Sequence, residues 1–110
     1  MMLLQIYFQV AQGNAGAFEA MYEEVYVPAM RKQTGYQGSN LLKLFPPEVH
    51  GEIEAQDTEF NYQMELIFDT EENRRAWVAS DEHQVAWPSA ESLSESVAWR
   101  GYDIAGSDKM

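Results

Sequence analysis

The chain has 110 residues, 45% of them hydrophobic, and its 18 acidic side chains against 7 basic ones give a formal net charge of -11. This length suits one domain with one core, which we expect at residues 1–105, followed by a short loose tail at 106–110. The negative charge disfavours nucleic acid and anionic membrane surfaces as partners, because both repel it. The chain has no cysteine, which excludes disulfides and thiolate sites. Because its apolar N-terminus also lacks a basic leader region, we expect a cytoplasmic protein.

The first segment alternates like a strand and the second repeats like a helix. From Leu3 to Ala11 the even positions are all apolar and the odd positions are mixed, which predicts a strand with one dry face. A helix follows, with Asn14 as its N-cap, a kink at Pro28 and an end near Lys32 and Gln33. The residues predicted on its inward face are Phe18, Met21, Tyr22, Val25 and Ala29.

The rest of the chain continues as strands and helices separated by turn residues. The acidic stretch after Pro46 has no clear period and is predicted to be a long loop with room for one helical turn. Ser80 interrupts the second helix and Pro88 is predicted to break it. The remaining predicted elements are strands at Asn40–Phe45, Asn61–Phe68 and Val97–Ile104, a helix capped by Thr70, and a short helical patch at Ala90–Leu93.

The predicted order is strand, helix, strand, strand, helix, strand. It indicates an α+β, ferredoxin-like βαββαβ fold, with a four-stranded antiparallel sheet and both helices on one face. The other face of the sheet is too apolar for bulk water and too polar for a dry core. We therefore expect a homodimer through the sheet face. The side chains predicted on that face are Leu3, Gln5, Tyr7, Lys43, Phe45, Gln63, Ile67 and Trp99.

Few residues offer recognisable chemistry. The chain contains none of the common phosphate-loop, dinucleotide, zinc-protease or serine-nucleophile motifs. Its two histidines, His50 and His83, lie on different segments, so neither a metal site nor a cofactor is predicted. His50 stands in the acidic loop and is predicted to be solvated. The acidic pairs, such as Glu71 with Glu72, are predicted to be solubilising surface.

His83 is the candidate catalytic residue. It lies four residues before Trp87, so both side chains share one helix face. A neutral imidazole beside an apolar cavity can act as a base toward a phenolic ligand; the alternative is a histidine that only hydrogen-bonds Ser80 or a carbonyl. The aromatic residues fit a filled core equally well, but they also suit an apolar slot for a flat ligand. The predicted lining of that slot is Trp77, Trp87, Tyr62, Phe8 and Met64.

The run FDTEENRRAWVASDEHQVAW resembles the second-helix signature of the antibiotic biosynthesis monooxygenase (ABM) family, within the dimeric α/β barrel superfamily. In that signature an acidic turn after a strand precedes a tryptophan and then Ser-x-x-His. Those positions are filled here by Phe68, Trp77, Ser80 and His83.

A second segment, YVPAMRKQTGYQGSNLL, is similar to the way the family's first helix ends. Gly35 and Tyr36 match its glycine-aromatic pair, and Thr34 stands where a proline is common. Together the two segments imply the dimeric α/β barrel fold.

The resemblance implies a cofactor-independent monooxygenase acting on a small planar aromatic, phenolic or quinol-type compound. In that chemistry the substrate supplies the electrons once its anion forms, and the anion reacts with oxygen. The resemblance gives His83 the role of assisting deprotonation, while Trp77 and Trp87 position the ring. The groups implied to hydrogen-bond the ring oxygens are Tyr7, Tyr62 and Gln5.

Other functions remain open on this fold. Haem-degrading members use an axial histidine later on the second helix and an asparagine in the first strand. Trp87 stands at the former position and Leu3 to Ala11 contains no asparagine, which disfavours haem degradation. A non-catalytic ligand-binding or stress-response protein is the main alternative, and an isomerase or lyase is another. A buried His83 with a hydrogen-bond partner would favour an enzyme.

Overall fold

Four strands form one antiparallel sheet in the computed structural model, which describes residues 1–108. They are β1 (Met2–Val10), β2 (Tyr36–Lys43), β3 (Tyr62–Phe68) and β4 (Ser94–Asp103), and they lie in the order β2-β3-β1-β4. The helices that contribute to the core pack on one face of this sheet, where the even-numbered side chains of β1 join it. The predicted α+β, ferredoxin-like arrangement is therefore confirmed.

Helices occupy the connections between the strands. None of them, within residues 1–108, is long and apolar enough to cross a membrane. A short 3-10 helix (Gln12–Asn14) leads into α1 (Ala15–Met21), a π-helical segment (Tyr22–Tyr26) and α2 (Val27–Arg31), which run on continuously. The later helices are α3 (Pro47–Glu52), α4 (Glu71–Ala79) and α5 (Asp81–Glu91).

The π-helical segment shifts the inward face of the first helix by one residue. Regular α-helical spacing predicts Val25 on that face, yet Tyr26 is the residue that is buried. The local reason is Pro28, which has no N–H to donate four residues back and whose ring crowds that carbonyl. The N–H of Val27 instead donates to the carbonyl of Tyr22, five residues back. This wider turn holds one extra residue, so it rotates the rest of the helix; Met30 is buried in place of Ala29.

Pro88 does not break the second helical region, contrary to the sequence prediction. α5 runs through it to Glu91 and absorbs part of the helical patch predicted after it. Pro88 and Gln84 are both exposed. The carbonyl that loses its donor therefore lies toward solvent, where water satisfies it, and the helix continues.

The edge strands differ from prediction at their ends. β2 begins at Tyr36 rather than Asn40, because Gly35 makes the reversing turn with a φ of 81°. The N–H of Asp69 donates to the Gly35 carbonyl at 2.9 Å, and a Cβ on Gly35 would collide with the Asp69 carboxylate. Only glycine fits this turn. β4 spans Ser94–Asp103 rather than Val97–Ile104.

Three residues predicted on the uncovered face lie elsewhere. Residues directly opposite in an antiparallel pair share a face. Trp99 is opposite Ile6 and Lys43 is opposite Tyr62, so both point to the helix side. Phe45 lies beyond the end of β2. The predicted residues that do lie on the uncovered face are Leu3, Gln5, Tyr7, Gln63 and Ile67.

Two further predictions concern the start of the first helix and the C-terminal tail. Asn14 makes no side-chain cap and instead donates from Nδ2 to the carbonyl of Leu93 at 3.4 Å. After β4, residues 106–108 belong to no helix or strand, and the last two residues of the predicted tail lie outside the described residues.

Ser80 separates α4 from α5. Its backbone is extended, with a ψ of 156°, so it ends one helix and begins the next. The Ser80 hydroxyl donates to the carbonyl of Trp77 at 2.6 Å and accepts from the N–H of His83 at 3.2 Å. Thr70 caps the start of α4 in the same way, accepting from the N–H of Asn73 at 3.1 Å.

We expect Thr70→Ala and Ser80→Ala each to lower the free energy of unfolding by about 1 kcal/mol, since each removes an N-cap. Ser80→Ala is expected to cost more, because its hydroxyl also donates to Trp77. Urea unfolding of the two variants beside the wild type measures both effects. An unchanged midpoint for Ser80→Ala would contradict the role given to its hydroxyl.

Candidate functional site

A cleft of about 220 Å³ opens between the sheet and the helices. Leu4 and Ile6 of β1 form its base, and Tyr26 borders it from the π-helical segment. α4 contributes Arg74, Trp77 and Val78 to the wall. His83 and Trp87 of α5 and Trp99 of β4 complete the lining, so all three tryptophans of the chain meet here.

The aromatic rings of the wall are held at defined angles to one another. The His83 and Trp87 rings are nearly parallel, at 9° with centroids 6.4 Å apart, which confirms that they share a helix face. Trp77 meets His83 edge-on at 5.0 Å, and Trp99 meets Trp87 edge-on at 5.9 Å. Trp77 is 1% exposed and fixed in the core, whereas Trp99 is 60% exposed at the rim. Such faces and edges suit a flat aromatic ligand.

The imidazole of His83 is neutral at physiological pH. Burial lowers the pKa of its imidazole below the ordinary value of 6.5. Its backbone N–H is bound by Ser80, but in the described part of the chain its ring nitrogens make no hydrogen bond. The ring packs against Trp77 and Trp87, and within residues 1–108 it lacks the polar partner that would favour catalysis.

The sequence pattern did not predict six of the cleft residues, and Tyr26 is the one with an unusual environment. The other five are Leu4, Ile6, Arg74, Val78 and Trp99. Its side chain is fully buried, and its hydroxyl is the buried side-chain polar atom that lacks a hydrogen-bond partner within residues 1–108. Burial raises the pKa of this hydroxyl well above its ordinary value, so it stays protonated. Regular helical spacing selected Val25 instead; the signal that points to Tyr26 is Pro28 inside the helical pattern.

Arg74 brings no uncompensated charge to the rim. Its guanidinium donates to both carboxylate oxygens of Glu71, which also accepts from Arg75 at 3.2 Å. The hydrogen bond from Arg74 holds the pKa of Glu71 at about 2, so the pair stays ionised at neutral pH. The cleft wall is thus nearly neutral, and it suits an uncharged ligand.

The structure does not bring the other predicted ligand groups into the cleft. Phe8 and Met64 point to the helix side but are fully buried core residues. Gln5 and Tyr7 lie on the opposite face of the sheet, where the Tyr7 hydroxyl donates to Gln5 Oε1 at 2.5 Å. Side chains alternate along a strand, so these two cannot reach the helix side. Of the predicted set, only Trp77, His83 and Trp87 line the cleft.

Tyr62 and His50 belong to a second hollow, of about 520 Å³, formed at the far end of β2. The Tyr62 hydroxyl donates to Glu19 at 2.5 Å, and burial together with this bond raises its pKa to about 12. His50 is not solvated as predicted, since its side chain is 15% exposed within α3, 3.9 Å from Asp57. No group of three or more potential metal-binding side chains occurs in residues 1–108.

Comparison with known proteins finds likeness in structure only. No family model and no curated protein matches the chain by sequence. The structure resembles a mutant form of SnoaB, described as a cofactor-independent oxygenase from Streptomyces nogalater, with a TM-score of 0.73 and 13% identity over 96% of this chain and 94% of that one. It also resembles a protein described as an antibiotic biosynthesis monooxygenase, with a TM-score of 0.70 and 8% identity over 96% of this chain and 100% of that one.

A third similar structure is At3g17210 from Arabidopsis thaliana, with a TM-score of 0.76 and 11% identity over 99% of this chain and 100% of that one. At such low identity the likeness concerns the fold and leaves the activity open. The chain therefore has the ferredoxin-like fold that solved antibiotic biosynthesis monooxygenases share.

Proposed function

We propose that the cleft binds a small planar phenol or quinol-type compound and oxygenates it without a cofactor. The observation that carries this proposal is the neutral imidazole of His83, set against two indoles in a mostly apolar cleft. The fold supports it, because a protein described as a cofactor-independent oxygenase is among the similar structures.

The size of the cleft limits the ligand. Its volume of about 220 Å³ is below the range of about 300–1,000 Å³ typical of sites for drug-sized molecules. One or two fused rings suit this volume better than three or four. Because the charge of Arg74 is compensated by Glu71, no anionic substituent is required.

The proposed reaction needs only the substrate, oxygen and a base. His83 accepts the proton of the ring hydroxyl, and the resulting anion reacts with oxygen at a ring carbon. For the probe substrate 1-naphthol, oxygen forms a bond at carbon 4, loss of water follows, and 1,4-naphthoquinone results. One oxygen atom enters the ring and the other leaves in water, with the electrons supplied by the naphthol. The tryptophans hold the ring plane and exclude bulk water.

We expect the protein to consume oxygen with 1-naphthol, and His83→Gln to reduce the rate about 100-fold, because a general base contributes about 10²–10⁴-fold. The wild-type kcat/KM is expected to fall as the pH drops through the lowered pKa of His83, below 6.5, since protonation removes the base. The His83→Gln profile should be flat there.

An oxygen electrode measures both rates. The matched control is His50→Gln, because His50 lies outside the cleft. Equal rates for wild type and His83→Gln would remove His83 from the mechanism.

A second candidate function is ligand binding without catalysis. The observation that favours it is the imidazole of His83, whose ring nitrogens make no orienting hydrogen bond within residues 1–108. In this case 1-naphthol raises the thermal unfolding midpoint without consuming oxygen. A ligand at 100 times its Kd adds about 2.7 kcal/mol, which is several degrees for a chain of this length.

We also propose a homodimer through the uncovered sheet face. The register places Leu3, Leu42, Ile67 and Tyr102 on this face. The charged side chains that the register places beside them are Glu65 and Arg100, one acid and one base. The face is therefore close to neutral, although the chain as a whole has a formal charge of -11. Two copies can approach through it without the repulsion that opposes contact elsewhere.

We expect sedimentation at micromolar concentration to give a dimer, and Ile67→Arg to give a monomer, because it buries a charge in each copy. Val85→Arg is the matched control: Val85 is 67% exposed on α5, away from the sheet face. A monomeric wild type would contradict the homodimer.

A further inference from the structure

We propose that the Tyr26 hydroxyl binds an oxygen of the ligand at the inner end of the cleft, while His83 meets a second one. The ligand class is then a small ring system with two oxygen substituents, such as a hydroquinone. This inference rests on the proposed function and narrows its substrate class. It assigns a specificity-determining role to a residue that the proposed reaction itself does not require.

An unpaired buried hydroxyl is costly, and Tyr26 carries one. Every other buried side-chain polar atom within residues 1–108 has a hydrogen-bond partner. A phenylalanine would fill the same ring position against Trp77, whose centroid is 5.8 Å away, without leaving a donor unsatisfied. A native structure that keeps such a group calls for a physical explanation, and a partner supplied from outside the chain is one.

The position of Tyr26 makes a ligand the appropriate partner. The residue borders the cleft, on the wall that also holds Trp77 and His83. Its hydroxyl is covered in this structure, so a ligand oxygen reaches it by displacing a neighbouring side chain. The rings of His83 and Trp87 are partly exposed, whereas Trp77 is buried in the core, so one of the two exposed rings is the side chain that a ligand displaces.

The Tyr26 hydroxyl and the His83 imidazole, which have no side-chain partner within residues 1–108, offer a ligand one donor and one acceptor. Burial raises the pKa of Tyr26, so its hydroxyl remains a donor, and burial lowers the pKa of His83, so its imidazole remains an acceptor. The guanidinium of Arg74 already donates to the carboxylate of Glu71. A ring that offers one acceptor oxygen and one hydroxyl proton satisfies both groups at once.

The test compares two ligands that differ by one oxygen. We expect the wild type, without oxygen in the solution, to bind 1,4-dihydroxynaphthalene about five-fold more tightly than 1-naphthol, as one net hydrogen bond allows. Tyr26→Phe is expected to remove this difference and to leave the affinity for 1-naphthol unchanged. Isothermal titration calorimetry measures all four affinities.

Tyr22→Phe is the matched control on the same helix. The Tyr22 hydroxyl donates to Ser39 Oγ at 2.8 Å outside the cleft. Its loss is expected to lower the thermal unfolding midpoint and to leave both affinities unchanged. Tyr26→Phe, which removes an unpaired group, is expected to keep or raise the midpoint of the ligand-free protein.

The outcomes separate this inference from the function on which it rests. If the wild type binds both ligands and Tyr26→Phe keeps the preference, the role of Tyr26 is overturned while the phenol-binding cleft stands. The same holds if Tyr26→Phe lowers the midpoint as Tyr22→Phe does and leaves the affinities unchanged, because the hydroxyl then has a structural partner. If the wild type binds neither ligand, the proposed function itself fails.

Discussion

The hydroxyl of Ser80 joins the two helices that form the cleft wall. It donates to the carbonyl of Trp77 and accepts from the N–H of His83, so it contacts the backbone of both residues. In one uninterrupted α-helix, six residues would place His83 roughly 240° around the axis from Trp77. The extended backbone at Ser80 breaks that path and turns His83 edge-on to the indole, at 5.0 Å. The geometry of the wall thus depends on one helix break.

A second irregularity places the other polar group of the cleft. Pro28 cannot donate to the preceding turn, and the π-helical segment before it holds the extra residue that turns Tyr26 inward. Tyr26 and His83, the polar groups of the cleft that have no side-chain partner within residues 1–108, therefore owe their positions to a departure from regular helix. Departures from regular secondary structure are expected at sites that bind ligands, because the needs of the site outweigh local regularity there.

The sequence alone was sufficient to predict the sheet and part of the candidate site. The alternation in β1 and β3 predicted the dry face, and the four-residue spacing predicted the shared face of His83 and Trp87. Tyr26 was not predictable from regular spacing, because a π turn adds a residue that α-helical periodicity does not count. Trp99 was assigned to the wrong face because apolar side chains occur on both faces of β4, so only the register with Ile6 decides.

Two predictions about β1 conflicted, and the structure separates them. Alternation placed Gln5 and Tyr7 on the uncovered face, whereas the family resemblance assigned them to the ligand. The register keeps them on the uncovered face, where they bind each other. A side chain cannot serve both faces of a strand, so the physical alternation was the more reliable guide.

The most direct measurement is a crystal structure of the protein with 1,4-dihydroxynaphthalene, prepared without oxygen. We predict electron density for the ligand between the sheet and α5, with its ring against the tryptophans of the cleft and its oxygens directed to Tyr26 and His83. Density on the uncovered sheet face beside Tyr7, or in the hollow beside Tyr62, with the cleft closed, would contradict the assignment of the cleft as the binding site.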